Sequence, residues 1–147
     1  MKSDPYPHII NFPRFLDHRG NLSVIEETRE IPFRIKRTYW VYDVPGGEAR
    51  EGHAYHTNEE FIVALSGSFD IITDDGKHRQ TFSLNRSYHG LYVPAGIWRT
   101  LTNFSTNSLA LVIASTEYDP DDYILDFQTF LSSKCRTNKI QSTTAPS

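Results

Sequence analysis

Apolar and polar residues alternate along most of this chain with the two-residue period that is typical of β-strands. The alternation is clearest in residues 34–44, where Arg37, Tyr39 and Val41 fall on one face. Segments of this kind recur at intervals of roughly 8–12 residues with polar turns between them, a spacing that predicts an all-β sandwich or barrel. The predicted strands cover residues 8–12, 22–26, 34–44, 59–65, 68–73, 78–84, 88–94, 97–103 and 108–115.

The pattern changes after residue 119. Pro120 and the acidic pair Asp121 and Asp122 are typical of a first helical turn. Apolar residues then recur at helical spacing as far as Leu131. We therefore predict one amphipathic helix over residues 121–131.

The chain of 147 residues has the length of one domain, which would bury roughly two-thirds of its unfolded surface. Hydrophobic residues make up 38% and charged residues 22%, a balance typical of a globular protein. Beyond Ser132 the residues are polar and show no periodicity. We therefore predict a single domain over residues 1–133 and a disordered tail over residues 134–147.

Charge and cysteine content argue against several classes of partner. The net charge is -3 and the basic residues are scattered, so we expect neither a nucleic acid nor a membrane surface as a partner. Cys135 is the only cysteine, which excludes an internal disulfide. The N-terminal residues lack the apolar run of a signal peptide, and no stretch reaches the length of a membrane span. We expect a cytoplasmic protein.

Residues 52–67 resemble the first signature of the cupin proteins, which has two histidines one residue apart, then a glutamate, then a glycine. His53, Glu60 and Gly67 occupy their positions, whereas Tyr55 stands in place of the second histidine. Strand alternation places His53 and Tyr55 on one face, and in cupins that face points into the barrel. The resemblance implies an all-β fold, a cupin (jelly-roll-like) β-barrel, to which the chain adds its C-terminal amphipathic helix.

A second stretch matches the other cupin signature in its spacing. Its four defining positions are Pro94, Gly96, Arg99 and Asn103. Arg99 stands where cupins place their last metal-binding histidine, and a guanidinium stays protonated and has no lone pair to offer a cation. Only His53 and Glu60 of the usual ligand set remain, so we expect no bound metal. The polar side chains of the pocket would then act directly on an organic substrate.

His53 and Tyr55 are the first candidates for catalysis. An imidazole has an ordinary pKa near neutrality, so His53 can take and return a proton at physiological pH. A phenol at position 55 can donate to a substrate oxygen or relay a proton. The alternatives are a hydrogen-bonded structural histidine and a tyrosine that belongs to the core or rim.

Other polar residues are candidates for ligand binding. Arg37 and Tyr39 share a strand face and suit an anionic, oxygen-rich ligand such as a nucleotide sugar. The alternative is a cation stacked along an aromatic face. Near the predicted barrel mouth, Trp98 can stack on a base or a sugar and Arg99 can bind phosphate or carbonyl oxygen. Glu60 either orients an imidazole or faces solvent.

Taken together, residues 10–131 resemble the cupin-type sugar 3,4-ketoisomerases, the family that acts on dTDP-4-keto-6-deoxyglucose in deoxysugar biosynthesis. The matching motifs are Asp17-x-Arg19-Gly20-x-Leu22, Ile31-Pro32-Phe33-x-Ile35-Lys36-Arg37-x-Tyr39, His53-Ala54, Leu65-x-Gly67-Ser68, Asp74-Asp75-Gly76, Gly90-Leu91-Tyr92-Val93, Trp98 and Ala114-Ser115-x-x-Tyr118-Asp119-x-x-Asp122-Tyr123-Ile124.

The resemblance implies the roles of several residues. His53 corresponds to the first of two histidines that move the proton in the family, while Tyr55 and Arg99 replace histidines. Arg37 and Tyr39 match the strand that lines the family's active site, and Arg19 matches an arginine of the early turn. The resemblance also implies a homodimer, with exchanged N-terminal strands as one possibility, and a dTDP-linked sugar as the substrate without any cofactor.

Three functions follow as alternatives. The first is an isomerase that moves the ketone of a dTDP-linked 4-keto-6-deoxyhexose from C4 to C3 through an enediol, with a product used for lipopolysaccharide O-antigen or an S-layer glycan. The second is a cupin that binds a nucleotide sugar without turnover, which the replacements at Tyr55 and Arg99 favour. The third is a related isomerase or epimerase of different stereochemical outcome.

Overall fold

The computed structural model describes residues 4–143, which form twelve strands and one α-helix. The strands are β1 (His8–Asn11), β2 (Arg14–Asp17), β3 (Gly20–Ser23), β4 (Arg37–Tyr42), β5 (Arg50–Tyr55), β6 (Glu60–Ser66), β7 (Phe69–Asp74), β8 (Arg79–Leu84), β9 (His89–Val93), β10 (Trp98–Thr102), β11 (Leu109–Ala114) and β12 (Tyr123–Ile124). The helix α1 spans Phe127–Thr143, and a 3₁₀ turn at Pro120–Asp122 precedes β12.

Ten of these strands form two five-stranded antiparallel sheets. The first sheet has the order β1-β9-β6-β11-β4, and the second has the order β12-β5-β10-β7-β8. Strands β2 and β3 pair only with each other, as a separate hairpin. The arrangement confirms the predicted all-β fold with one C-terminal helix. Within the described residues, the strands form separate sheets that are not closed into the predicted barrel.

The main core lies between the two sheets. Strand alternation turns one side of each strand inward, and these side chains form one apolar cluster. Its members come from both sheets and include Ile62, Ala64, Phe69, Ile71, Leu84, Leu91, Val93, Leu101, Ala110 and Val112. The inward positions of β4, β5, β6 and β10 also hold polar side chains, and these create the site described below.

The turn between β6 and β7 shows why Gly67 is required. Its φ of 65° lies in the left-handed region, which a residue with a Cβ adopts at a cost. A Cβ here would also lie 2.5 Å from Ser105 Oγ and 2.8 Å from Ser108 Cα. The glycine of the first cupin signature therefore allows the chain to turn tightly into the second sheet.

The predicted helix over residues 121–131 is wrong at both of its ends. Its first part is a 3₁₀ turn followed by β12, in which Tyr123 and Ile124 pair with Tyr55 and Ala54 of β5. The helix begins only at Phe127, after Asp126 accepts hydrogen bonds from the backbone N–H and the hydroxyl of Thr129. Long-range pairing outweighs the helical pattern of the local sequence.

Helix α1 packs on the outer face of the second sheet. Phe130 is buried there with Ala54 and Ile124, and Phe127 and Leu131 pack at the edge of this cluster. The helix continues to Thr143, into the segment predicted as a tail, whereas residues 144–147 lie outside the described part of the chain. Within residues 4–143, no helix has the length and apolar character needed to span a membrane.

Candidate active site

A cleft of about 670 Å³ opens between the two sheets. Strand β4 contributes its inward face, as the alternation of residues 34–44 predicts, and β5 and β10 supply the opposite wall. The segment after β11 closes one side. The lining residues are Arg37, Tyr39, Val41, Ala49, Arg50, Gly52, His53, Arg99, Leu101, Val112, Tyr118, Tyr123 and Leu125.

Glu60 and Arg99 form a buried ion pair at the base of this cleft. Arg99 Nε donates to Glu60 Oε1 at 2.8 Å, and Arg99 Nη2 donates to Glu60 Oε2 at 3.1 Å. Glu60 lies on β6 and Arg99 on β10, so the pair joins the two sheets. Because both residues are buried, each charge depends on the other for compensation.

Two tyrosines complete the hydrogen bonds of this carboxylate. Tyr39 donates to Glu60 Oε2 at 2.5 Å and accepts from Arg99 Nη2 at 2.8 Å. Tyr55 donates to the same Oε2 atom at 3.1 Å. Glu60 is therefore the centre of a polar network. The sequence alone left open whether Glu60 orients an imidazole or faces solvent.

His53 joins the network through Tyr55. Its Nε2 atom lies 2.9 Å from the Tyr55 hydroxyl, and the two rings meet edge to face with 4.9 Å between centroids. The imidazole is partly exposed and lines the cleft, whereas Tyr55 is buried. The two side chains share the inward face of β5, as predicted.

The protonation states of the network follow from burial and from its two charges. Burial alone would raise the pKa of Glu60, but the charge and hydrogen bonds of Arg99, with the hydrogen bond of Tyr39, outweigh it and hold the pKa below the usual glutamate value. Burial, assisted by the Glu60 charge, raises the pKa of both Tyr39 and Tyr55. Glu60 is thus an ionised acceptor, and both phenols keep their protons.

Tyr123 is a cleft residue that the sequence analysis missed. Its ring centroid lies 5.2 Å from that of His53 and 4.7 Å from that of Tyr55. Asp122 fixes the preceding turn by accepting hydrogen bonds from Thr57 N, Thr57 Oγ1 and Asn58 N. The local sequence resembles a helix start, so only these contacts, which span more than 60 positions, identify Tyr123.

Arg37 lies at the side of the cleft between two aromatic rings. Its guanidinium carbon is 5.6 Å from the centroids of both Tyr39 and Tyr118. The Nε atom is buried and has no hydrogen-bond partner within residues 4–143. A buried donor without a partner is costly, so this nitrogen has capacity for a ligand atom.

Trp98 does not lie in the cleft. It neighbours the inward-facing Arg99 on β10 and therefore points outward, where its ring packs against Phe127 and Phe130 with centroids 5.2 and 5.8 Å away. Gly52 on β5 makes room for this ring, because a Cβ there would lie 2.3 Å from Trp98 Nε1 and 2.5 Å from Thr100 Oγ1. The structure gives Trp98 a packing role beneath the strand that carries His53.

Arg19 lies at the turn of the β2–β3 hairpin, away from the cleft residues. Its side chain is exposed and donates to Asp17, with Nη2 2.9 Å from Oδ2 and Nε 3.0 Å from Oδ1. The structure of one chain therefore does not bring Arg19 together with His53, Tyr55, Tyr39, Arg37 and Arg99.

The donor set at the cupin metal position differs from a metal site. Arg99 places N–H donors on both oxygens of Glu60, which occupies the carboxylate with a guanidinium. Within the described residues 4–143, no group of three or more His, Cys, Asp or Glu side chains is arranged to hold a metal ion. The residues present are suited to proton transfer and anion binding.

Sequence comparison identifies relatives of this chain. The profile of the family described as FdtA (WxcM-like, C-terminal) matches residues 6–135. A curated relative, the TDP-4-oxo-6-deoxy-alpha-D-glucose-3,4-oxoisomerase of Aneurinibacillus thermoaerophilus, is 41% identical over 122 residues, which cover 83% of this chain and 88% of the relative.

Solved structures show the same fold. The WlaRB TDP-quinovose 3,4-ketoisomerase of Campylobacter jejuni superposes with a TM-score of 0.82 at 39% identity, covering 86% of this chain and 97% of that protein. The sugar 3,4-ketoisomerase QdtA of Thermoanaerobacterium thermosaccharolyticum, solved in complex with TDP, gives a TM-score of 0.86 at 29% identity and covers 89% of this chain and 96% of its own.

Proposed function

Because this chain belongs to the FdtA (WxcM-like, C-terminal) family, we propose that it is a sugar 3,4-ketoisomerase acting on a dTDP-linked 4-keto-6-deoxyhexose. The observation that carries the proposal is the position of His53, at the wall of an open cleft and hydrogen-bonded to Tyr55. Two of the relatives named above are enzymes of TDP-linked sugars, and the third was solved with TDP bound. The cleft offers the proton carrier and the cations that this chemistry requires.

His53 is the base that moves the carbon-bound proton. It takes the proton from C3, the electron pair of that C–H bond forms a double bond between C3 and C4, and the former ketone oxygen takes up a proton. The resulting enediol then loses the proton of its C3 hydroxyl, and C4 receives a proton from the imidazolium. One imidazole between the two carbons serves both transfers.

Tyr39 and Tyr55 are proposed to assist the transfers between oxygen atoms. Both phenols stay protonated and are anchored on Glu60, so each can donate to a substrate oxygen only as it exchanges its hydrogen bond. Arg99 supplies a fixed positive charge beneath them, which would stabilise the enediolate.

Arg37 is proposed to bind the diphosphate of the substrate. Its position at the cleft wall and its Nε, which has no hydrogen-bond partner among residues 4–143, support this role, because a guanidinium fork matches phosphate oxygens. Trp98, which the sequence suggested as a stacking platform, is not included, since its ring packs outward against α1.

The direct test is incubation of dTDP-4-keto-6-deoxyglucose with the purified protein in deuterated water, followed by NMR. We expect the 3-keto isomer to appear, with deuterium at the exchanging carbons. His53→Asn should lower turnover by about two to four orders of magnitude while the Kd for dTDP, measured by calorimetry, stays nearly unchanged. Binding without isomerisation or exchange across a panel of 4-keto sugars would instead indicate a non-catalytic binding cupin.

We also propose that the protein is a homodimer in which the β2–β3 hairpin packs on the partner. The hairpin is fully exposed in one chain, and its apolar side chains Phe15, Leu16 and Leu22 are 58%, 68% and 59% exposed. Arg19 lies at the turn of the same hairpin and would therefore lie at this interface. Its expected role in substrate binding then requires that the interface adjoin the partner's cleft. Light scattering should give twice the monomer mass, and Leu16→Lys should lower it.

The proposed setting is the cytoplasm, where the 3-keto sugar would enter deoxysugar biosynthesis for lipopolysaccharide O-antigen or an S-layer glycan. Aminotransferase or glycosyltransferase genes beside this gene would identify the pathway. A neighbourhood without genes for nucleotide sugars would contradict the assignment.

A further inference from the structure

The hydrogen bonds around Glu60 determine where each proton of the network lies. Arg99 has only donors, and its Nη2 atom donates to the Tyr39 oxygen at 2.8 Å. The hydroxyl proton of Tyr39 is therefore directed to Glu60 Oε2, 2.5 Å away. The Tyr39 hydroxyl can make these two hydrogen bonds only when the Glu60 carboxylate is ionised and accepts a hydrogen bond. The ion pair with Arg99 requires the same ionised state.

The single hydroxyl proton of Tyr55 has Glu60 Oε2 at 3.1 Å and His53 Nε2 at 2.9 Å among its possible acceptors, and the hydroxyl groups of Tyr39 and Tyr123 also interact with it. If it were directed to His53 or to either tyrosine, the Glu60 carboxylate oxygen and the Tyr55 oxygen would face each other at 3.1 Å, buried, with no proton between them. Such a contact sets two lone pairs against each other and leaves an unsatisfied acceptor away from water. The proton of Tyr55 therefore belongs on the side of Glu60.

With that proton on Glu60, the Tyr55 oxygen can only accept from His53. We propose that Glu60 is a positioning residue that acts through Tyr55 to hold the proton of neutral His53 on Nε2. In an imidazole of this tautomer the basic lone pair is on Nδ1. The inference rests on the proposed function in one respect, because it makes Nδ1 the atom that takes the C3 proton and returns it to C4.

The hydrogen bonds form two series that both end at Glu60. In the first, Arg99 donates to Tyr39 and Tyr39 donates to Glu60. In the second, His53 donates to Tyr55 and Tyr55 donates to Glu60. A glutamine at position 60 would reverse the second series. Its carbonyl oxygen would remain with Arg99 Nε, the shorter of the two Arg99 contacts, so its NH₂ group would replace the oxygen that accepts from Arg99 Nη2. That NH₂ group would face the tyrosines and donate to Tyr55. The Tyr55 hydroxyl would then donate to His53 Nε2, and the imidazole proton would move to Nδ1.

The test is a two-bond ¹⁵N–¹H correlation spectrum of the substrate-free protein with labelled histidine, recorded at about pH 8, where ordinary imidazoles are neutral. The signals of His53 are assigned by their loss in His53→Asn. We expect the Nε2–H tautomer in the wild type, the Nδ1–H tautomer in Glu60→Gln, and a mixture of both in Tyr55→Phe. An Nδ1–H tautomer in the wild type would overturn the proposal.

Glu59→Gln is the matched control, because the neighbouring glutamate accepts from Tyr92 and does not contact the network. It should leave the His53 tautomer unchanged. If Glu60→Gln does not fold, the wild type and Tyr55→Phe decide the question alone, and a tautomer unaffected by Tyr55→Phe would contradict the role of Tyr55.

Kinetics show whether the tautomer matters for turnover. Glu60→Gln should lower kcat by about 10²-fold, with the Kd for dTDP unchanged within about twofold. A folded Glu60→Gln variant with the reversed tautomer and full activity would overturn the assignment of Nδ1 as the base. The spectra need no substrate, so the tautomer is decided even if the protein proves not to be a ketoisomerase.

Discussion

Arg99 of β10 and Glu60 of β6 bind each other across the two sheets, with side chains only 4% and 1% exposed. The pair occupies the region in which cupins bind metal, and it fixes the hydroxyl groups of Tyr39 and Tyr55. One buried carboxylate therefore contributes both to the cohesion of the sheets and to the arrangement of the cleft.

This carboxylate should make stability depend on pH. The folded-state pKa of Glu60 lies below its ordinary value of 4.5, so the unfolded chain takes up this proton first as the pH falls. The stabilisation is complete above pH 4.5 and is lost as the pH falls through the folded-state pKa. The difference in free energy of unfolding between the wild type and Glu60→Gln, from urea titrations, should therefore shrink below pH 4.5.

The exposed Glu48 provides the control for that experiment. Glu48→Gln should differ from the wild type by only a small amount, because the Glu48 side chain is exposed. A wild-type advantage over Glu60→Gln that stays constant down to about pH 3 would show that Glu60 is not an ionised, stabilising group.

Arg37→Ala should weaken dTDP binding. Charge-assisted hydrogen bonds to phosphate contribute roughly 1.5–3 kcal/mol, which corresponds to a rise in Kd of about 10- to 150-fold. Calorimetric titration measures the effect, with Arg29→Ala as the control because Arg29 is exposed and pairs only loosely with Glu26 at 3.7 Å. Equal affinities for the two variants would remove Arg37 from the binding site.

Trp98→Ala should lower stability and spare ligand affinity. Its ring is partly buried against Phe127 and Phe130 outside the cleft. Loss of a fully buried aromatic side chain costs about 3–5 kcal/mol, so the cost here should lie below that range. Phe127→Ala should act in the same direction. A folded Trp98→Ala protein whose Kd for dTDP rises tenfold would argue that the indole contacts the nucleotide after all.

Asp122→Ala should loosen β12 and lower turnover. The substitution removes the acceptor for Thr57 and Asn58, hydrogen bonds to a charged group that contribute roughly 1.5–3 kcal/mol each. Hydrogen exchange at Tyr123 and Ile124 should accelerate, and kcat should fall because Tyr123 no longer packs on His53. Asp121→Ala is the control, because Asp121 is the exposed neighbour of Asp122. The same losses in Asp121→Ala would contradict the role of Asp122.

The sequence predicts the inward faces of β4 and β5 because strand alternation is a local property. Arg37 with Tyr39, and His53 with Tyr55, needed only the two-residue period to be placed together. The same rule could have excluded Trp98 from the cleft, since adjacent residues of one strand face opposite sides and Arg99 is inward.

Other parts of the site depend on contacts that a local pattern does not contain. The pairing of Glu60 with Arg99 joins positions that are 39 residues apart. Tyr123 follows a sequence typical of a helix start, and only the hydrogen bonds of Asp122 to Thr57 and Asn58 place it in a strand. Tertiary pairing thus decides the elements that local propensity assigns differently.

The close approach of Gly52 and Trp98 has an evolutionary consequence. A methyl group at position 52 would lie 2.3 Å from the indole nitrogen of Trp98 and 2.5 Å from the hydroxyl of Thr100. Two side chains on the neighbouring strand therefore restrict position 52 to glycine. Among related sequences, a larger residue at position 52 should appear only where the tryptophan has become smaller. The residue next to His53 is therefore expected to covary with a position whose side chain packs outside the cleft, on helix α1.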